Sequence, residues 1–333
     1  MKHANISLFV PHMGCPHQCS FCNQKTISGS VKSLTPDCVT ETLRNAVKDK
    51  NEPLDTEVAF FGGSFTAIPR VYMISLLEAS KPFIDAGYFN GVRISTRPDA
   101  IDEEVLGILK KYGVKSIELG AQSTDDEVLK FNKRGHTRQD IINASKLIKE
   151  KGFSLGLQMM TGLLGDTDEK TLKTSDDIIS LKPDTVRIYP TVVLEGTELG
   201  ELYKKGKYAP QTLENAVHIC AVLLKKIHDN NIKVIRLGLH SGGNVEEGFI
   251  AGAYHPAFGE LCESAIYLDI LKNELKNSRN ENEFTVFVNP SEISKMTGHK
   301  GCNKSELLKE GYIITVKGDE SLSKYELKLK GRK

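Results

Sequence analysis

Three cysteines near the start of the chain are the residues whose types and spacing most directly suggest chemistry. Cys15, Cys19 and Cys22 form a Cys-x-x-x-Cys-x-x-Cys pattern just after a short apolar segment. Thiolates this close together in one loop can bind a single iron–sulfur cluster. A 4Fe–4S cluster with three cysteine ligands keeps one iron open, whereas an electron-transfer ferredoxin normally supplies four. The spacing therefore predicts a cluster that takes part in chemistry.

Zinc is the alternative that this spacing leaves open. The three thiolates together with His12 or His17 would complete a four-ligand zinc site. The other four cysteines are scattered along the chain, and single cysteines at helical spacing are usually small core residues. An odd total of seven cysteines is not typical of a disulfide framework.

The composition is that of an ordinary globular protein. The 333 residues are 39% hydrophobic and 26% charged, with a formal net charge of +1. These values exclude a disordered chain and a strongly basic nucleic-acid coat. No apolar run approaches the roughly 20 residues of a membrane helix, and the start does not resemble a secretory signal. We therefore expect a cytoplasmic protein without a membrane partner.

Segments typical of strands and of helices alternate over the first 240 residues. Thr35 and Pro36 are suited to the N-cap and first position of a helix, and apolar residues share one face in the segment 101–112. The predicted strands are 6–10, 58–61, 92–95, 116–119, 153–160, 185–189 and 234–237. Short apolar strands separated by helices predict an α/β fold with a parallel sheet, in the form of a partial (β/α) TIM-type barrel.

Unusual motifs follow the first four predicted strands. PHMGCPHQC follows the first strand, GGSF the second, STRPD the third and GAQS the fourth. The carboxyl ends of parallel strands meet at one face of a barrel, where active sites lie. We therefore expect these four motifs to meet at one site.

The pattern changes after residue 240, which predicts a core at 1–240 and a small α+β extension at 241–333. The extension contains a predicted strand at 284–288, helices at 291–296 and 304–310 and a strand at 312–316, with the loop GHKG at 298–301 between the helices. This is the order of a KH core, whose GxxG loop approaches the nucleic-acid backbone, so the segment 284–318 is a candidate RNA-binding unit. A helical hairpin that packs on the barrel is the alternative.

Lysines near this loop are candidate phosphate contacts. They are Lys295, Lys300 and Lys304. Lys133, Arg134, Arg187 and Arg236 would extend such a surface if they face the same side. We expect the basic tail at 328–333 to be a solvated, frayed end.

The cysteine pattern, with Phe21 directly before Cys22, resembles the radical S-adenosylmethionine (radical SAM) superfamily. The resemblance implies a partial barrel of the radical SAM type, a 4Fe–4S cluster on Cys15, Cys19 and Cys22, and S-adenosylmethionine on the free iron. It also implies reductive cleavage of that cofactor to a 5′-deoxyadenosyl radical. A low-potential electron donor such as ferredoxin or flavodoxin would reduce the cluster.

The resemblance also implies residues that contact S-adenosylmethionine. The GGSF motif is similar to the glycine-rich element of the family. Gln122 and Arg134 are similar to the glutamine and the arginine that contact the cofactor in oxygen-independent coproporphyrinogen oxidase. Ser95 and Gln158 stand where many relatives have an acidic residue. The implied contacts are Gly62, Gly63, Ser64, Ser95, Gln122, Arg134 and Gln158.

A narrower resemblance links residues 5–265 to the radical half of the elongator catalytic subunit. It depends on STRPD, RGHT, RIYPTVVLEGTEL and YHPAFGEL, and within these strings Tyr189 and His255 are candidate cavity residues. In that family the radical domain works with an acetyl-CoA-binding acetyltransferase domain to modify the wobble uridine of transfer RNA. We expect no acetyltransferase domain of roughly 150 residues, because the sequence ends at YELKLKGRK, and we therefore expect modification of a tRNA base without assuming the complete elongator reaction.

Two other functions remain open at this point. One is the same radical chemistry on a small molecule such as a tetrapyrrole, for which RNA binding is not expected. The other is a non-catalytic RNA-binding protein in which iron–sulfur or zinc only shapes a loop.

Overall fold

A parallel sheet dominates the first two thirds of the structure. The computed structural model describes residues 4–10, 18–23, 33–48, 56–239, 244–276 and 282–331. Seven parallel strands hydrogen-bond in the order β1-β2-β3-β4-β5-β6-β8, while β7 pairs antiparallel with β9 outside this sheet. The strands are β1 (Ala4–Val10), β2 (Thr56–Gly62), β3 (Gly91–Thr96), β4 (Val114–Gln122), β5 (Ser154–Thr161), β6 (Thr185–Pro190), β7 (Val192–Leu194), β8 (Lys233–Leu237) and β9 (Phe249–Gly252).

Helices connect successive strands of the sheet. They are α1 (Pro36–Lys48), α2 (Arg70–Asp85), α3 (Glu103–Lys111), α4 (Asp126–Phe131), α5 (Arg138–Glu150), α6 (Asp168–Ser180), α7 (Glu198–Lys204), α8 (Leu213–Asp229), α9 (Asn244–Glu247) and α10 (Phe258–Leu275). Thr35 accepts a bond from the Cys38 amide at the start of α1, as expected. Helix α3 begins two residues later than predicted because Asp102 is its N-cap and accepts from the Val105 amide.

The sheet is strongly curled. Strands β2 and β6 are four positions apart, which in a flat sheet would separate them by about 19 Å. The guanidinium carbon of Arg187 on β6 nevertheless lies 5.4 Å from the ring centroid of Phe61 on β2. The sheet is therefore a half-barrel with a concave inner face, which confirms the predicted partial barrel.

The two faces of the half-barrel differ in chemistry because strand side chains alternate. Val58, Phe60 and Ile94 are fully buried in the apolar core between the sheet and its helices. The residues that alternate with them, such as Glu57 and Arg93, make polar contacts on the concave face. The apolar core therefore lies outside the curl, and the polar face lies inside it.

A small mixed sheet forms the C-terminal unit. Strand β10 pairs parallel with β11 and antiparallel with β12. The unit contains β10 (Glu283–Val288), α11 (Ile293–Thr297), α12 (Cys302–Lys309), β11 (Ile313–Gly318) and β12 (Lys328–Gly331). The expectation of a frayed tail is wrong for residues 328–331, because the alternating Leu329 packs against the core while its backbone completes the sheet.

Tyr267 joins the C-terminal unit to the barrel. Its hydroxyl accepts from the Tyr325 amide at 2.8 Å and donates to Glu292 at 3.1 Å. The apolar cluster that contains Cys220 of α8 and Cys262 of α10 continues to Val288 of β10. The predicted boundary at 240/241 lies outside the described residues and stays a prediction. Within the described ranges, no helix is both long and apolar enough to cross a bilayer.

Candidate active site

The cysteine segment is described at residues 18–23, so Cys15 lies outside the described residues. Cys19 is buried, at 8% exposure, and the Cys22 amide donates to the Cys19 carbonyl at 3.1 Å. Ser20 donates through its hydroxyl to the side chain of Asn132 at 2.7 Å, and its carbonyl accepts from the Leu199 amide at 2.8 Å. The residue at the end of α4 and the first turn of α7 therefore hold this segment.

Arg134 connects the cysteine segment to the end of β4. Its side chain is 7% exposed, and one terminal nitrogen donates to the Cys19 sulfur at 3.0 Å. The other terminal nitrogen donates to the Gly120 carbonyl at 2.7 Å. Its Nε is buried and has no hydrogen-bond partner among the described residues. A guanidinium in this position can stabilise a thiolate and still donate to a ligand.

Gln122 ends β4 in a strained conformation. Its φ is +68°, and the pairing of β4 with β5 shifts register between Gly120 and Gln122. Its Oε1 is buried and, among the described residues, accepts no bond. Left-handed backbone at a residue other than glycine is costly and concentrates at functional sites. The strain turns a polar side chain toward the same strand ends that hold Arg134.

The GGSF motif follows β2 and lies against β1. At Gly62, φ is +119° and a Cβ atom would overlap the carbonyl oxygen of Val10, so glycine is required there. The Gly63 amide donates to the same carbonyl at 3.3 Å. The Ser64 hydroxyl lies 2.8 Å from that of Thr96 and accepts from the Arg97 amide at 3.2 Å. The STRPD motif therefore holds the GGSF turn, a role that the sequence analysis did not assign to Thr96.

The remaining two predicted contacts differ in their surroundings. Ser95 on β3 has a buried hydroxyl with no hydrogen-bond partner in the described part of the chain. Gln158 on β5 donates through Nε2 to Glu118 at 3.1 Å. The oxygen of Ser95 is therefore open to a ligand, whereas the amide of Gln158 is partly used by the protein.

A buried ion-pair network lines the concave face below these strand ends. Arg93 bridges Glu57, at 2.6 Å, and Glu118, at 2.9 Å. Arg187 donates to Oε1 of Glu118 at 2.9 Å, and its Nε lies 2.7 Å from Oε2 at an angle unsuited to a hydrogen bond. Burial lowers and the Glu118 carboxylate raises the pKa of Arg187, with a net upward shift.

This network was missed by the sequence analysis, although a signal exists. Arg93, Glu118 and Arg187 each stand between apolar residues in a predicted strand, as Glu118 does in SIELG and Arg187 in VRIY, while Glu57 directly precedes the predicted strand 58–61. Charged residues that alternate with apolar ones mark a polar strand face. The expected basic surface is accordingly wrong for Arg134 and Arg187, which are engaged inside the half-barrel, while Lys133 pairs with Glu198 at 2.6 Å.

A cavity of about 840 Å³ opens beside Cys19. Its lining includes Gln18, Lys130 and His136. Burial and the nearby Arg134 guanidinium lower the pKa of His136 to about 4, so its ring is neutral at pH 7. Its Nε2 lies 3.2 Å from the Ala121 carbonyl, and Nδ1 is buried with no partner among the described residues.

The two predicted cavity residues from the elongator-like strings lie in different surroundings. Tyr189 is on β6, two residues after Arg187 on the same strand face and near Arg236 of the neighbouring β8. The His255 ring instead packs edge-on against His299, with centroids 5.5 Å apart, and its Nδ1 accepts from the Ala257 amide. His255 therefore contacts the GHKG loop of the C-terminal unit.

Comparison with protein-family models shows which superfamily the chain belongs to. The model of the radical SAM superfamily matches residues 9–178, just over half of the chain, and a radical SAM C-terminal domain matches residues 183–267. The chain belongs to the radical SAM superfamily. It is an enzyme of the elongator-like type within this superfamily, in agreement with the strings that predicted this relationship.

Curated relatives share this type. A tRNA uridine(34) acetyltransferase of Methanocaldococcus jannaschii is 41% identical over 129 residues, which are 38% of this chain and 24% of the relative. One of the same name from Methanocaldococcus infernus is 29% identical over 65% of this chain and 48% of its own length. The human elongator complex protein 3 is 29% identical over 50% of this chain and 34% of its own. The chain thus spans about half or less of these relatives.

Solved structures agree on the fold. The archaeal Methanocaldococcus infernus Elp3 with an N-terminal deletion superposes with a TM-score of 0.63 and 24% identity, over 82% of this chain and 63% of that one. A methylornithine synthase superposes with a TM-score of 0.52 and 18% identity, over 69% of this chain and 64% of its own. At these identities the likeness shows the half-barrel fold.

The superfamily implies two cofactors, a 4Fe–4S cluster and S-adenosylmethionine. The residues at the strand ends fit this pair. Buried polar atoms normally have hydrogen-bond partners, yet Ser95 Oγ, Gln122 Oε1 and Arg134 Nε have none among the described residues. These atoms belong to neighbouring strand ends and to the arginine that contacts Cys19. A polar ligand beside the cysteine segment would supply the missing partners.

Replacing Glu118 tests the buried network. The side chain of Glu118 is 1% exposed, and its carboxylate pairs with two guanidinium groups; Glu118→Gln removes this negative charge. We expect a loss of about 3–5 kcal/mol in the free energy of unfolding, because Arg93 and Arg187 would retain unbalanced buried charge. Urea unfolding measures this change.

Glu103→Gln is the matched control for this substitution. Its carboxylate is 74% exposed in an ion pair with Lys151, so the change should stay within about 0.5 kcal/mol. Equal unfolding midpoints for the two variants would show that the network does not stabilise the sheet.

Proposed function

We propose that this chain is a radical SAM enzyme that modifies a base of transfer RNA. The chemistry that the two cofactors supply when bound is reductive cleavage of a carbon–sulfur bond, which gives a 5′-deoxyadenosyl radical. A low-potential protein such as ferredoxin or flavodoxin provides the electron. The observation that carries the proposal is the bridge from Cys19 through Arg134 to the end of β4, where Gln122 Oε1 and Arg134 Nε have no hydrogen-bond partner among the described residues.

The chain's own residues have separate roles in this proposal. Cys15, Cys19 and Cys22 hold the cluster, and Arg134 orients the Cys19 sulfur. The GGSF turn with Ser95, Gln122, Arg134 and Gln158 orients S-adenosylmethionine. The support for these roles is that the GGSF turn, Ser95 and Gln122 lie at the carboxyl ends of β2, β3 and β4, and that Arg134 joins the end of β4 to Cys19.

The choice of tRNA is supported by the relatives. Two relatives are named tRNA uridine(34) acetyltransferase, and they match 38% and 65% of this chain. The chain spans only part of each relative, so acetyl transfer is not part of the proposal. A uridine at the wobble position is the preferred target.

Loss of one cysteine tests the cluster assignment. We expect anaerobically reconstituted wild-type protein to bind about four irons per chain and, after reduction with S-adenosylmethionine, to release 5′-deoxyadenosine. Cys19→Ala should lose both the iron absorbance and the release.

Cys38→Ala is the control, because Cys38 is an exposed cysteine on α1. It should retain iron and release at wild-type levels. Cleavage that survives in Cys19→Ala would contradict the ligand assignment, and a wild-type protein that binds iron without releasing 5′-deoxyadenosine would contradict the enzymatic proposal.

The substrate is tested by comparing tRNA nucleosides. Cells without the gene, cells with the wild-type gene and cells with the Cys19→Ala gene would supply tRNA for digestion and mass spectrometry. We expect one modified uridine to be absent in the first and third samples, because the variant lacks radical chemistry. Identical nucleosides in all three would contradict tRNA modification and favour a small-molecule substrate.

The GHKG loop is the proposed RNA contact of the C-terminal unit. Gly298 has φ +87°, and a Cβ there would collide with the Asn303 amide and the Cys302 sulfur, so the tight turn requires glycine. Lys300 at the tip and Lys304 on α12 are exposed. Lys295 is less suited to phosphate than expected, because its ammonium lies 2.8 Å from Glu292 and 3.1 Å from Glu263.

Paired lysine substitutions test this contact. Lys300→Ala with Lys304→Ala should weaken tRNA binding and reduce the slope of log affinity against log salt by about 1 to 2, since up to two phosphate contacts are lost. Filter binding over a salt series measures both quantities. Lys309→Ala, in the last turn of α12, is the control, and equal slopes in all proteins would contradict RNA contact by the loop.

A further inference from the structure

The concave face carries more positive than negative charge in the part of the chain that the structure describes. Arg93, Arg187 and Arg236 lie on neighbouring or nearby strands, and Glu57 and Glu118 are the carboxylates of the network between them. Three guanidinium groups therefore share a half-barrel with two carboxylates. The question is which of the three guanidinium groups has no carboxylate partner.

Both carboxylates are already used. Glu57 pairs with Arg93 and accepts from the Ser116 hydroxyl at 2.6 Å. Glu118 pairs with Arg93 and Arg187 and accepts from Gln158. Each carboxylate therefore already has at least one arginine partner, and their two negative charges balance only two of the three guanidinium charges.

Arg236 is the cation that this network leaves out. It stands on β8 beside Arg187 of β6 in the sheet register. Its Nε donates to the Gly238 carbonyl at 3.0 Å, and no carboxylate of the described residues pairs with it. The side chain is partly buried, and burial together with the charge of Arg187 lowers its pKa, although a guanidinium remains charged at neutral pH.

The surroundings of Arg236 are those of a ligand wall and not of a packed core. Tyr189 on β6 is close to both Arg187 and Arg236. Across the curl, Phe61 lies beneath the Arg187 guanidinium, and its neighbour Phe9 is 41% exposed on the same inner side of the sheet. The exposed Phe9 shows that side chains leave the inner face beside Phe61 partly uncovered.

We propose that Arg236, with Tyr189 and Arg187 beside it, binds an anionic oxygen group of the substrate, a carboxylate or a phosphate. Arginine presents its donors in a planar fork that matches these anions. An anion would balance a partly buried charge that is otherwise costly. The inference rests on the proposed function in one respect, because it assigns the anion to the substrate of the radical site.

Titration calorimetry of the reconstituted protein, saturated with S-adenosylmethionine and kept without reductant, tests the subsite. The probes are inorganic phosphate, malonate, uridine 5′-monophosphate and uridine, at constant ionic strength. We expect at least one anion to bind, and uridine 5′-monophosphate to bind more tightly than uridine if phosphate is the recognised group. Stronger binding of malonate than of phosphate would identify a carboxylate site.

Variants connect the binding to Arg236. Arg236→Gln should weaken binding of the anion at least about tenfold, which is the loss expected for a charged hydrogen bond. Arg236→Lys should recover part of the lost affinity. Arg44→Gln, an exposed arginine on α1, should bind like wild type. Without ligand, Arg236→Gln should raise the melting temperature by about 2–4 °C or leave it unchanged, because an unbalanced charge is removed.

Three results would overturn the subsite: no anion binding to wild type, equal binding to wild type and Arg236→Gln, or a large fall in melting temperature of Arg236→Gln without ligand. The titration uses unreduced protein and does not depend on 5′-deoxyadenosine release. Anion binding through Arg236 in a protein that releases no 5′-deoxyadenosine would therefore support the subsite while contradicting the proposed function.

Discussion

The inner face of the half-barrel depends on the ion pairs that the Glu118 carboxylate makes with two arginines. It stands on the central strand β4 and pairs with Arg93 on one side and Arg187 on the other. Because Arg187 also covers Phe61 on β2, these contacts join strands that a flat sheet would keep far apart. The curl brings the strand ends together. Without the curl, motifs that are distant in sequence could not form one cofactor pocket.

The site at the strand ends combines rigid and unsatisfied groups. Thr96 fixes the turn of GGSF, and Arg134 fixes the Cys19 sulfur relative to β4. Next to these fixed groups, Gln122 retains a costly backbone conformation and an oxygen without a partner in the described chain. A protein keeps such a conformation when a bound molecule supplies the missing contact, which agrees with the cofactors of the superfamily.

The sequence predicted the outer face of the fold better than the inner one. Apolar alternation and capping residues such as Thr35 depend on local chemistry, so the seven strands of the large sheet were predicted within a few residues, whereas β7 and β9 were not predicted. Arg187 was a conditional member of an RNA surface, and its burial could not be predicted because its partner, Glu118, is 69 residues away in the sequence. Strand β12 was missed for a similar reason, since its partner β10 lies about 40 residues earlier in the chain. The cysteine ligands and the S-adenosylmethionine contacts stay predictions.

The bonds around Ser20 have a consequence for how the cluster is assembled. They join the cysteine segment to Asn132 and to Leu199 through a hydroxyl, amides and carbonyls, without using a thiol. These contacts of the segment from 18 to 23 therefore do not depend on a thiol, and the bond from the Cys22 amide to the Cys19 carbonyl keeps the two cysteines near each other. Under the proposed ligand assignment, much of the entropy loss of ordering Cys19 and Cys22 would belong to folding and not to metal binding, so oxidative loss of the cluster would leave these contacts in place.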